Sequence, residues 1–268
     1  MDKYNSEKIV TQINQTLKAD SLYTYQSAIT GDSRFLYYQL KMSILSSDRI
    51  DIIVSFLMES GVRLIIDDLK RALDRGVKIR ILSGNYLGIT QPSALYLLKK
   101  ELGNQVDLRL YNNPNKSFHP KSYIFHRKED GEIYIGSSNL SNGALTSSIE
   151  WNYRFTRTSN THDFDVFFHA FEDLFNNHSY EVTDEVLSEY TKNWRRPFVS
   201  KDLEKYDTQE QNAVSIFRPQ GAQIEALYSL AKSRKEGFDK GIVVAATGDR
   251  VIIVTGRRNA VNKRVSVA

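Results

Sequence analysis

Between residues 50 and 111 the chain alternates short apolar runs with stretches of helical periodicity, an order that few folds accept. DIIVSF at 51–56 reads as a buried strand, and a helix over Phe35–Leu45 leads into it. GVRLIIDDLKRALDR at 61–75 carries its apolar residues at helical spacing and stops at Gly76. VKIRILSG follows as a strand closed by a turn, residues 92–102 as another helix, and VDLRLY at 106–111 as a third strand. This order predicts an α/β fold built on parallel βαβ units, with helices packed on the sheet faces.

After Tyr111 the pattern changes. NNPNK is loop-like; KSYIFH and EIYIG are short strands separated by RKEDG, a turn signal. Glu150–Thr156 reads as a further strand. Residues 161–177, THDFDVFFHAFEDLFNN, form an amphipathic helix whose aromatic stripe is expected in the core. The first 33 residues are polar and receive no assignment. The first domain is expected to span 1–190 and a polar linker 191–214. A short helix and strand extension follows at 215–268.

The chain has no cysteine among its 268 residues, which excludes disulfides and thiolate metal sites. Its longest apolar runs fall far short of the roughly 20 residues that span a bilayer. MDKYNSEKIV at the start has no apolar signal core, so a cytoplasmic protein without membrane partners is expected. The formal net charge of +4 is unevenly spread: residues 192–268 hold 15 Lys and Arg against 8 Asp and Glu, while the preceding residues are slightly acidic. Such a basic C-terminal stretch suits nucleic acid or serves as a solubilising surface.

The chemistry concentrates in FHPKSYIFHRKEDGEIYIGSSNLSNGALTSSIEWN, residues 118–152. In an extended segment His119 and Lys121 project from one sheet face. An imidazole beside an ammonium group can attack or protonate a phosphoryl group while the lysine holds its oxygens. GSSN directly follows a strand, so Ser137 and Asn139 present a hydroxyl and an amide at its end, where α/β sheets commonly place their sites. Glu150, opening the next strand, can hydrogen-bond an imidazole nitrogen and fix its tautomer. The blander reading is a surface strand followed by a polar turn.

The spacing His-x-Lys, Gly-Ser-x-Asn and a Glu eleven residues after the Asn resembles the phospholipase D superfamily, in particular its nuclease branch of metal-independent endonucleases. The matching positions are His119, Lys121, Ser137, Asn139 and Glu150. The resemblance implies a phospholipase D-like mixed sheet flanked by helices. It also implies a mechanism in which one histidine forms a phosphohistidine and a second protonates the leaving oxygen, then activates water. Lys and Asn stabilise the phosphoryl oxygens, and no metal or other cofactor is required. The fuller motif has an Asp where this chain has His126, which argues against lipid hydrolysis; His126, on the opposite side of its strand, is expected to be an ordinary surface histidine. The motif occurs once here, and single-motif members form twofold dimers. A homodimer with His119 of each subunit facing the other is therefore expected. Tyr123 and Trp151 are expected to pack rather than to stack on bases.

Residues 217–248 resemble the opening of a superfamily 2 DEAD/DEAH-type helicase: Arg218-Pro219, Gln223 in a helix, and IVVAATG entering a phosphate-binding loop at Thr247 and Gly248. The Gly-Lys-Ser/Thr ending is absent, so no ammonium reaches the β/γ-phosphates and no ATPase activity is expected. A truncated or frameshifted helicase start and an independent strand–turn–strand extension both fit the tail. The resemblances together imply a DNA endonuclease from a helicase-fused restriction or DNA-defence protein. A non-catalytic DNA-binding or dimerisation module and a phospholipid-acting enzyme are the alternatives.

Overall fold

The computed structural model describes residues 27–32, 35–85, 88–113, 115–128, 130–195 and 221–238. The elements run β1 (Ala28–Ile29), α1 (Leu36–Ser46), β2 (Arg49–Val54), α2 (Glu59–Asp74), β3 (Lys78–Ser83), α3 (Pro92–Leu102) and β4 (Val106–Tyr111). Then come β5 (Lys121–His126), β6 (Gly131–Gly136), α4 (Asn142–Thr146), β7 (Asn152–Thr156), α5 (Thr161–Asn177), β8 (Ser179–Glu181), α6 (Asp184–Asn193) and α7 (Ala222–Lys235). One sheet contains all eight strands, in the order β1-β7-β6-β5-β2-β3-β4-β8.

The expected βαβ units form its parallel part: Ile52 pairs with Ile81 and Ile81 with Leu108. β5 joins β2 antiparallel, setting Val54 opposite Lys121 and Arg49 opposite His126. β6 and β7 continue antiparallel beyond it. The sheet is mixed, as the family resemblance implies.

Two apolar layers cover the sheet. On one face, Ile50, Ile52, Ile79, Ile81, Leu108, Tyr123 and Phe125 meet Leu40, Ile65, Leu69, Leu95 and Leu98 of α1, α2 and α3. On the other, Ile53, Leu82, Ile124, Ile133 and Phe155 meet Phe164, Phe171 and Phe175 of α5. Each such side chain contributes roughly 1.5–3 kcal/mol on burial. The aromatic stripe of α5 is therefore core.

α2 obeys the helical pattern, burying Val62, Ile65, Ile66, Leu69 and Ala72, and the chain leaves it through Gly76 at φ +82°. At its start, a Cβ on Gly61 would lie 2.3 Å from the Leu140 carbonyl. The missing side chain lets α2 press on the loop after β6, and Met58 N donates to Leu140 O at 3.0 Å. The loop is thereby fixed from below.

The sequence pattern left β1, α4, β8 and α6 unassigned: the strands have two and three residues, and α4 has five. α7 lies within the segment resembling a helicase start and packs on α3, with Tyr96 and Tyr228 ring centroids 5.4 Å apart. Asp184 of α6 accepts from Tyr228 Oη and, at 2.6 Å, from Lys232 Nζ. Gln223 sits in the first turn of α7, whereas Arg218, Thr247 and Gly248 lie outside the described residues.

Candidate active site

β5 begins at Lys121, so His119 stands on the loop leading into it. Phe118, just before, is buried and stacks on Tyr111 at 4.4 Å, anchoring the loop to β4. Lys121 is 7% exposed, and its Nζ lies 2.7 Å from Nδ1 and 3.0 Å from Nε2 of the exposed His119. The same Nζ donates to the His119 carbonyl at 3.1 Å. An ammonium hydrogen bond to the ring requires an unprotonated nitrogen. Desolvation and the neighbouring Lys121 charge both hold the His119 pKa below 6.5. Burial lowers the Lys121 pKa, and the charge of Glu150 opposes that shift.

The loop after β6 supplies the next groups. Ser138, fully buried, donates through Oγ to Ala144 O at 3.3 Å and accepts from Asn152 Nδ2 at 2.8 Å. Ser141 caps α4, accepting from Ala144 N at 3.3 Å. Asn139 is 6% exposed, and its Oδ1 accepts from Phe56 N at 3.3 Å. That bond ties β2's end to β6's end.

Glu150 lies two residues before β7, and its carboxylate accepts from the Ser137 hydroxyl, not from an imidazole as the strand-opening position suggested. Ser137 also donates its N–H to Trp151 O at 3.0 Å and accepts from Trp151 N at 3.0 Å. Gly136 makes this possible: a Cβ there would stand 2.1 Å from Trp151 O and 2.6 Å from Asn152 Cα. Gly31, at φ +72°, likewise packs where a Cβ would be 2.7 Å from Glu150 N. The structure thus brings His119 to Lys121 and Ser137 to Glu150, with Asn139 on the intervening loop. Glu150 reaches Lys121 through its charge.

His126 is not an ordinary surface histidine. It faces away from Lys121, as strand alternation predicts, but its Nε2 lies 2.9 Å from Oδ2 of Asp51, which is fully buried. Arg80 donates to the same carboxylate at 2.7 Å and to Glu172 of α5 at 2.5 Å; Arg49 bridges both as well, at 2.9 and 2.7 Å. Phe164 and Phe168 lie edge-on to His126 at 5.9 and 5.1 Å. Burial pushes the Asp51 pKa up, but hydrogen bonds from His126 and Arg80 and the two arginine charges outweigh it and hold it at about 2. Sequence alone hid this cluster because its members come from β2, β3, β5 and α5.

Two further expectations about aromatics divide. Tyr123 is packed at 1% exposure, its Oη donating to Ser138 O at 3.2 Å, and burial raises its pKa. Trp151 is not packed: 73% of it is exposed. His162 and His169 lie on the exposed side of α5 and His178 just beyond it, on the sheet face away from Lys121. Among the described residues no group of three or more His, Asp or Glu is placed to hold a metal ion, and no helix is long and apolar enough to cross a membrane.

A mixed sheet flanked by helices, with a lysine–histidine pair and a Gly-Ser-x-Asn loop at one end of its central strands, defines an α/β protein. Residues 41–172 match the family described as "Cardiolipin synthase, PLD-like domain". That match covers just under half of the chain and supports a phospholipase D-like domain there, of a superfamily whose members are phosphodiesterases. Similar solved structures include Nuc from Salmonella typhimurium, a phospholipase D family member, 19% identical over 55% of this chain and 90% of that one, with a TM-score of 0.42. NucT from Helicobacter pylori is 18% identical over 53% and 87%, at 0.42. Phosphatidylserine synthase from Haemophilus influenzae Rd KW20 is 12% identical over 67% and 46%, at 0.44. No curated protein matches the chain in sequence.

Proposed function

We propose that the domain is a metal-independent endonuclease acting on DNA through a phosphohistidine, with His119, Lys121, Ser137, Asn139 and Glu150 as its working residues. The observation that carries this reading is the buried Lys121 ammonium against the unprotonated face of His119, beside the Ser137–Glu150 pair. A phosphoryl group entering here exchanges its oxygens for the ring as partners of Lys121. A His119 ring nitrogen then attacks phosphorus with its lone pair as the P–O bond to the leaving strand breaks. Lys121 and Asn139 Nδ2 bind the oxygens on which charge develops; one such donor is typically worth about 10²–10³ in rate.

The leaving oxygen needs a proton that this half-site does not hold, since the other histidines lie on the far sheet face or beyond it. A twofold dimer answers that need: the partner's His119, entering the cycle as the imidazolium, gives its proton to the leaving oxygen, then takes a proton from water as water displaces the phosphohistidine nitrogen and restores that imidazolium. The basic 192–268 stretch suits a DNA substrate. Its likeness to a helicase start fits a motor-coupled restriction or DNA-defence role, with no ATPase activity in this chain.

The test is cleavage of plasmid and single-stranded DNA in excess EDTA, alongside His119→Ala. EDTA-resistant cutting that the substitution abolishes is the expected result. DNA binding without cutting by either protein would overturn it in favour of a binding module, and release of headgroups from phospholipid vesicles in favour of a lipid-acting enzyme.

A further inference from the structure

Beside the reactive groups, the backbone of Trp151 is pinned while its side chain stands in solvent. Its N–H donates to Ser137 Oγ and its carbonyl accepts from Ser137 N, both at 3.0 Å, yet the residue is 73% exposed. A core aromatic is buried on folding, so an indole held rigid and left open calls for another account. Strand alternation carries Trp151, Tyr153 and Phe155 on one side of β7. Tyr153 is 55% exposed, and its ring lies near-parallel to that of Phe155 with centroids 6.3 Å apart. Phe167 of α5 continues the row 6.0 Å beyond Phe155. An exposed strip of two rings, Trp151 and Tyr153, therefore runs from the sheet end that carries the site along the α5 side of β7, with Phe155 buried behind Tyr153 and Phe167 beyond it.

We infer that this strip is a stacking track for the bases of an unpaired nucleic-acid strand, with Trp151 receiving the base next to the phosphate held at Lys121. The inference rests on the phosphodiesterase reading above and adds the substrate class. Alternate residues of a strand lie roughly 6.6 Å apart, about twice the 3.4 Å rise per base of a duplex strand. Successive bases of a duplex cannot lie on Trp151 and Tyr153 together, and their faces are already covered by one another. An extended single strand meets both conditions: its bases are open, and its phosphate reaches a cationic site while its base reaches the ring. Trp151 and the Ser137–Glu150 pair belong to one hydrogen-bonded span, and the Glu150 charge reaches Lys121.

The test is binding, read apart from turnover. In His119→Ala with Trp194→Phe, Trp151 is the sole indole. An oligothymidylate is expected to quench its fluorescence, and an abasic oligonucleotide of equal length to leave it bright. By anisotropy, Trp151→Ala should weaken oligothymidylate binding by about 5- to 150-fold, the range for one stacked base, and abasic binding far less. Tyr153→Ala should give a smaller loss in the same direction. Equal quenching by the abasic strand, or equal loss on both strands, overturns the proposal. So does a Trp151→Ala variant that turns a dimer into a monomer in sedimentation, because the strip would then be a subunit interface. Failure of the wild type to hydrolyse the base-free diester bis(4-nitrophenyl) phosphate would instead sink the phosphodiesterase reading, whatever the quenching shows.

Discussion

Asp51→Asn removes the buried anion on which Arg49, Arg80 and His126 converge. With its carboxyl held at about 2 against an ordinary 3.8, Asp51 contributes about 2.5 kcal/mol at neutral pH. The amide keeps the shape but leaves two guanidinium groups and an imidazole facing Glu172 alone. Stranding buried charge in this way typically costs about 3–5 kcal/mol. At roughly 2–4 °C per kcal/mol for a domain of this size, the melting temperature should fall by about 6–20 °C. The pH dependence has a defined sign. A carboxyl whose pKa is depressed on folding stabilises fully above its unfolded value and loses that contribution as pH falls toward the folded one. Near pH 3 about 1 kcal/mol of the Asp51 contribution should be gone. Urea unfolding of wild type and variant between pH 7 and pH 3 checks both points. A deficit under about 1 kcal/mol at pH 7, or one that does not narrow on acidification, would refute the argument.

At the site, Lys121→Met removes the charge that helps to hold His119 below 6.5, so the His119 pKa should rise; an NMR titration in which it stays put would count against that cause. Gly136→Ala sets a methyl group against the Trp151 carbonyl, where only backbone can yield. A stability loss of about 1–3 kcal/mol is expected. Cleavage should fall at least about tenfold as Ser137 parts from Glu150, and a fully active variant would show that the close strand contact is dispensable. Asp184→Asn should loosen α7, speeding amide hydrogen exchange over Ala222–Lys235 while β5 and β6 keep their protection.

The sequence was most legible where periodicity and punctuation agreed. The helices at 92–102 and 161–177 and the strands at 106–111 and 121–126 have the bounds their patterns suggest, because Gly, Pro and Asn mark their ends. The meeting of His119 and Lys121 was legible too, since they are two residues apart and local geometry governs it. Asp51 was not. In DIIVSF it is one acid in an apolar run, and its partners lie 29 and 75 residues away. The alternation rule correctly sent His126 to the far face but said nothing of what waits there. Glu150 failed for a similar reason: its spacing from Asn139 was visible, while its bond to Ser137 depends on the close strand approach at Gly136. Trp151 misled because an aromatic beside a strand normally packs, and nothing in the local pattern marks it as one that stays exposed.

The same cluster explains the one departure from the superfamily pattern. The position that carries aspartate in the fuller motif holds His126, and the neighbouring buried carboxylate comes instead from Asp51 on β2. Two guanidinium groups already balance two carboxylates there, Arg49 and Arg80 against Asp51 and Glu172. An aspartate at 126 would set a third carboxylate against Asp51; at about 4 Å, with the effective dielectric of such sites, that repulsion is about 4 kcal/mol. An imidazole adds no further carboxylate, donates a hydrogen bond to Asp51 and fits edge-on between Phe164 and Phe168. β5 is therefore fixed on one face by the ion-pair cluster at His126, and its opposite end, five residues away, holds Lys121 against His119. The substitution follows from the electrostatics of the α5 face and leaves the Lys121–His119 contact at the other end of the strand in place.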